Sequence, residues 1–189
     1  ILFLAQFFGT MTRGGAIGGG TIFLFGVYAY GVTALDLGLL SSLLALVGIP
    51  LTFASGYIMD KFGRKVTIVP GLILSGMSMF FLGATAAFEW GYWAFVTGFV
   101  WMQLLNAMMS GSMQTIGSDF APAHARGRFF GVGRMISHAG FMANPLSFSA
   151  FTALSGFTAA FAFVGGTGVA AALILAFLIK ESLMRVNDK

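Results

Sequence analysis

Cysteine is absent from the 189 residues, which excludes disulfides and thiolate metal sites. Charge is scarce: Asp, Glu, Lys and Arg make up 8% of the chain, against about 25% in soluble domains. With 58% hydrophobic residues, such a chain cannot cover itself with polar surface, and it needs lipid as solvent. The long apolar runs contain no Asp or Glu, so no carboxylate relay is expected inside a membrane span. There is no Walker loop, no metal-ligand cluster and no nucleophile constellation. These absences argue against an enzyme and against a bound cofactor. Nothing in the sequence points to nucleic acid as a partner. The chain does not begin with Met and shows no secretory signal, so it reads as a piece of a longer chain or as a processed one.

What is there is apolar and long. Leu37 to Met59 and Val66 to Phe88 are each 23 residues without a formal charge. About 20 helical residues cross the hydrocarbon core of a bilayer. The runs predict an all-α membrane protein with six spans, near 1–31, 37–59, 66–88, 92–117, 129–153 and 157–179. The last two come from splitting the 45 residues Met135 to Ile179, which carry no formal charge, at Leu154-Ser155-Gly156. Pro70 is expected in the first turns of the third span, where a missing N–H costs least. Six spans put alternate loops on alternate sides. One side collects Lys61, Arg64, Lys65, Arg126, Arg128, Lys180, Arg185 and Lys189, and the other has only Asp36 and Glu89. The basic side is expected in the cytoplasm with both termini, in a multi-pass plasma (inner) membrane protein. Trp90, Tyr92 and Trp93 then fall at the outer interface as ordinary anchors.

Between the two 23-residue runs lies Gly56-Tyr57-Ile58-Met59-Asp60-Lys61-Phe62-Gly63-Arg64-Lys65, read as a tight turn. Gly63 suits a turn that short because it takes a φ other residues resist. Gly56 removes bulk where a helix could approach closely. The spacing of Gly56, Asp60, Lys61, Gly63, Arg64 and Lys65 resembles the signature loop of the major facilitator superfamily, between the second and third helices of a six-helix half. Asp119, Pro122, Arg126 and Gly127 resemble that family's loop between the fourth and fifth helices. The resemblance implies a cytoplasmic charge network that includes Asp60, Arg64, Asp119 and Arg126. It extends to the fifth helix, where Gly133, Gly140, Asn144 and Pro145 are similar to a glycine-rich pattern of drug antiporters, with Asn144 in place of one glycine. The region Phe99 to Gln103 lacks the family's Arg-x-x-x-Gly-like element. That absence, the missing initial Met and the polar tail lean towards a carboxy-terminal half, whereas the signature loop and the fifth-helix pattern are common in amino-terminal halves.

Three groups of residues are expected to reach a solute. Arg13 is followed by Gly14, Gly15, Gly18, Gly19 and Gly20, a run that packs closely or bends. It either faces a cavity or snorkels to the headgroups. In a cavity it would favour anionic or carbonyl-bearing solutes through bidentate hydrogen bonds. Gln103, Asn106, Ser110 and Gln114, at offsets of 3, 4 and 4, share one helical face. They line a cavity or bond a neighbouring helix, and the resemblance implies that first and fourth helices line the cavity. Arg134 and His138, four apart, either bind an anion and titrate, or serve the interface and a neighbouring helix. Coupling to protons would fall to His138 or to groups in another half.

Two functions follow. The first is half of a secondary transporter that moves a small solute by rocking against a second six-helix half. The alternative is a non-transporting scaffold or assembly subunit among other membrane subunits, with His138 ligating a pigment or haem.

Overall fold

A computed structural model describes residues 1–14, 20–110, 115–117, 120–122 and 124–178. Its helices are α1 (Leu2–Gly14), α2 (Thr21–Tyr30), α3 (Ala34–Phe62), α4 (Arg64–Ala87), α5 (Tyr92–Met108) and α6 (Arg126–Leu178). There is no strand among the described residues. α3, α4 and α6 are long and apolar enough to cross a bilayer. α6 is two arms joined at Gly156, whose φ of 83° and ψ of 176° lie where only glycine is at ease.

Several boundaries differ from those expected, each for a local reason. The stretch from Gly56 to Lys65 is not a ten-residue turn. Nothing between 57 and 62 breaks a helix, so α3 runs through Phe62 and α4 begins at Arg64. Gly63 alone makes the reversal, at φ 101°, with its N–H on the Met59 carbonyl at 3.2 Å. Gly56 therefore lies inside α3, and a Cβ there would meet nothing within 4 Å, so no described helix uses it for close approach. The connection before α3 is shorter than Gly31 to Asp36. Thr33 caps the helix, accepting from the Asp36 N–H at 3.2 Å and donating to its carboxylate at 2.7 Å. Pro70 is the seventh residue of α4, past the turn whose N–H groups lack partners, so it does remove a helix bond. The first expected span is helical as α1 and α2, with residues 15–19 outside the described set. The fourth ends at Met108 rather than at 117.

The packing forms two apolar clusters with a polar layer between them. One cluster holds Phe25, Leu37, Met79, Leu82, Phe95, Phe99, Met102, Phe148, Phe161 and Val164. The other holds Ala5, Met59, Ile68, Leu72, Met109, Ala171, Ala172 and Leu175. Along α4, α5 and α6 a polar group falls between the two, Ser75, Asn106 and Thr167, and Thr12 of α1 joins this layer. Thr12 Oγ1 and Thr167 Oγ1 lie 2.8 Å apart.

Small residues set the helix separations. Gly76 of α4 and Gly165 of α6 approach so closely that a Cβ on either would lie 2.8–2.9 Å from the other's carbonyl oxygen. α1 lies against the first arm of α6 along Gly133, Ser137, Gly140 and Asn144, four positions on one face. There Gln6 Nε2 donates to Gly133 O at 3.1 Å and Ser137 Oγ at 2.7 Å. Asn144, fully buried, donates to Met11 O at 2.7 Å and accepts from Thr21 Oγ1 at 3.2 Å, so one side chain ties α1 to α2.

α3 stands apart: Leu43, Leu46, Val47, Ile49, Phe53 and Tyr57 are all exposed. Trp90, Tyr92 and Trp93, at the turn between α4 and α5, are exposed as anchors would be.

Candidate functional site

The site grows from the end of α5. A helix leaves its last four carbonyls without partners, and inside a membrane each must find a donor. Thr52 Oγ1 of α3 donates to Ala107 O at 3.0 Å, and Ser55 Oγ to Met108 O at 2.5 Å. Arg13 takes two more, Nη2 to Asn106 O at 3.1 Å and Nη1 to Met109 O at 3.3 Å. Its Nε donates to the Asn106 side-chain oxygen at 2.7 Å. A cation at a helix C-terminus also meets the negative end of the helix dipole.

Arg13 lies about 17 Å along α1 from its first residue. Its guanidinium crosses to α5 and lines a cavity of about 460 Å³ between α1, α3 and α5. Gln103, Asn106 and Ser110 line the same cavity, so four of the residues singled out in the sequence come together here. Gln114 lies outside the described residues.

The sequence reading missed the opposite wall. α3 contributes Ser41, Ala45, Gly48 and Thr52, at offsets of 4, 3 and 4 on one face. That stripe of small and hydroxyl residues was legible in principle, but the apolar length of α3 hid it. Gly48 lets α3 close on α5: a Cβ there would lie 2.8 Å from Ala107 Cβ.

Arg134 and His138 do not join this cavity. Both are exposed on the first arm of α6, where the His138 ring lies 6.5 Å from that of Phe141. They are on the same helix as Gly133 and Asn144 but not on the face that packs against α1.

The charged reversal between α3 and α4 binds two backbone carbonyls of other segments. Arg64 Nη1 donates to Thr115 O at 2.6 Å, which joins the reversal to the segment after α5. Lys65 Nζ donates to Ala176 O at 3.0 Å, near the end of α6. Asp60, Lys61 and Arg126 are exposed, and Asp119 lies outside the described residues, so the expected network is described only at Arg64. Lys61 Nζ sits 5.8 Å from the Tyr57 ring centre and 5.4 Å from that of Phe62.

Comparison with known proteins bears on these features. The chain is similar to the quinolone resistance protein NorA of Staphylococcus aureus strain Mu50 / ATCC 700699, with 28% identity over 151 residues, and equally to that of strains N315 and COL. The alignment covers 80% of this chain but 38% of NorA, so the chain spans less than half the length of these relatives. The sequence model of the Major Facilitator Superfamily matches residues 2–188, a span that takes in the Gly63 reversal, the α1–α5 cavity and both arms of α6. An all-α membrane protein matched over nearly its whole length, this chain belongs to the Major Facilitator Superfamily.

Proposed function

We propose that the chain is one six-helix half of a secondary transporter, in which α1 with α2, then α3, α4, α5 and the two arms of α6 are the six spans. The observation that carries this reading is the cavity. Arg13, Gln103, Asn106, Ser41 and Ser110 gather around an open space of about 460 Å³ at membrane depth, where such polar groups mark a path for water or solute. The cavity is one wall of the solute site, and a second six-helix half supplies the other. The exposed faces of α3 and of the first arm of α6 meet that half or lipid. Alternating access then comes from rocking of one half against the other. The relatives' name gives a drug as the first solute class to try in transport assays.

The orientation follows from the basic side. Cysteines placed at Asp36 and Glu89 should label from outside, and one at Lys61 only from inside; labelling of the Lys61 position from outside overturns the topology.

The reading also makes the α3–α4 reversal a conformational contact. Asp60 is exposed at the end of α3, where its carboxylate is placed to accept N–H groups from a helix start in the second half. Asp60→Asn should leave expression and helix content unchanged, because no core contact is lost, and should slow solute uptake by proteoliposomes of the intact polypeptide. Uptake at the wild-type rate removes Asp60 from the switching mechanism. Uptake by wild type tests the function itself: a polypeptide that moves no solute down an imposed gradient favours the scaffold reading.

A further inference from the structure

We propose that the Arg13 cavity takes an organic anion, held through a carboxylate or a similar planar anionic group; this rests on the reading of the cavity as the solute site. A guanidinium has five N–H groups. Arg13 spends Nε–H, one hydrogen of Nη1 and one of Nη2 on Asn106 and Met109. One N–H on each terminal nitrogen has no partner among the described residues, on a side chain that lines the cavity. Two N–H groups on a planar fork suit a two-oxygen anion.

Charge points the same way. Every hydrogen-bond partner of Arg13 among the described residues is neutral. The described carboxylates, Asp36, Asp60 and Glu89, stand at helix ends or in a turn, and none lines the cavity. The end of α5 supplies only about half a negative charge. A net positive charge is left over at membrane depth, where ions are otherwise paired. A solute anion is the missing partner. Gln103 and Ser110 offer it neutral hydrogen bonds from the α5 side.

The experiment uses three flat probes of nearly one shape: benzoate, benzamide and benzamidinium. Binding is measured on the protein in nanodiscs of zwitterionic lipid, with empty nanodiscs subtracted. Benzoate should bind about tenfold tighter than benzamide, the gain from a charge-assisted hydrogen bond over a neutral one. Benzamidinium should not bind. Arg13→Gln should erase the preference. Should that variant fail to fold, Ser110→Asp places a counter-charge in the cavity with Arg13 intact, and it should also erase benzoate binding. Equal binding of benzoate and benzamide, or a preference that survives these substitutions, overturns the proposal while leaving the cavity as a solute site. Absence of benzoate binding overturns it too. Labelling of Ser110→Cys by a water-borne reagent then decides whether the cavity reading falls with it.

Discussion

Gly140→Val is expected to abolish the folded bundle. A Cβ at Gly140 would run into Thr10 Oγ1, and would lie 2.6 Å from Phe7 O and 3.2 Å from Met11 N. Two of these three atoms are α1 backbone, which cannot turn aside as a side chain can. α1 must then retreat: Gln6 loses its partners on α6, Arg13 its partners at the end of α5, and Asn144 its bond to Met11 on α1. Overpacking costs about 1–3 kcal/mol in well-filled cores, and more where backbone must move. Folded domains have only about 5–15 kcal/mol to lose. The check is the yield of monodisperse protein in detergent and its thermal midpoint. Gly131→Val is the control, since a Cβ at Gly131 meets nothing within 4 Å. If Gly140→Val melts with wild type, α1 does not pack against α6 in this register.

Asn144→Leu is expected to have the next largest effect. Leucine nearly keeps the volume but removes both the donor to Met11 O and the acceptor from Thr21 Oγ1. Hydrogen bonds between membrane helices are worth roughly 0.6–2 kcal/mol each, so the pair amounts to about 1–4 kcal/mol. The loss falls where α1 hands over to α2, so the alignment of those helices, and Arg13 with them, loosens. A lower thermal midpoint with unchanged helix content is the expected result. A Leu variant as stable as wild type would show that the tie contributes nothing.

What the sequence disclosed, and what it hid, have physical reasons. Family and fold class were legible because the Gly56 to Lys65 spacing and the uncharged runs are local signals, and the match over residues 2–188 agrees with both. The Gly63 reversal was misjudged in length. A charged run looks like a loop in sequence, yet Asp60 and Lys61 are good enough helix residues to continue α3. The early end of α5 was invisible: no Pro or Gly marks Met108, and the end is held by donors on α1 and α3, a tertiary matter. Asn144 was read as a substitute for glycine in a pattern. Its role as a tie needs two partners more than 100 residues away in sequence, which no spacing shows. Arg13 is legible as a charge in an apolar helix, and Gln103, Asn106 and Ser110 as a polar stripe on one helical face, since such groups demand a partner. The same reasoning named Arg134 and His138, which polarity cannot separate from the cavity set and the structure places on an exposed face.

The central claim is that the space between α1, α3 and α5 is a water-filled solute site. Because these 189 residues contain no cysteine, Ser110→Cys is the only thiol in this half. The decisive measurement is its reaction, in proteoliposomes of the intact polypeptide, with a charged, membrane-impermeant thiol reagent, beside Phe177→Cys as an exposed position at the far end of α6. Rapid modification of the Ser110 position, slowed by transported solute and accompanied by loss of uptake, is the result the account requires. A Ser110 cysteine that stays unmodified while uptake proceeds normally contradicts it.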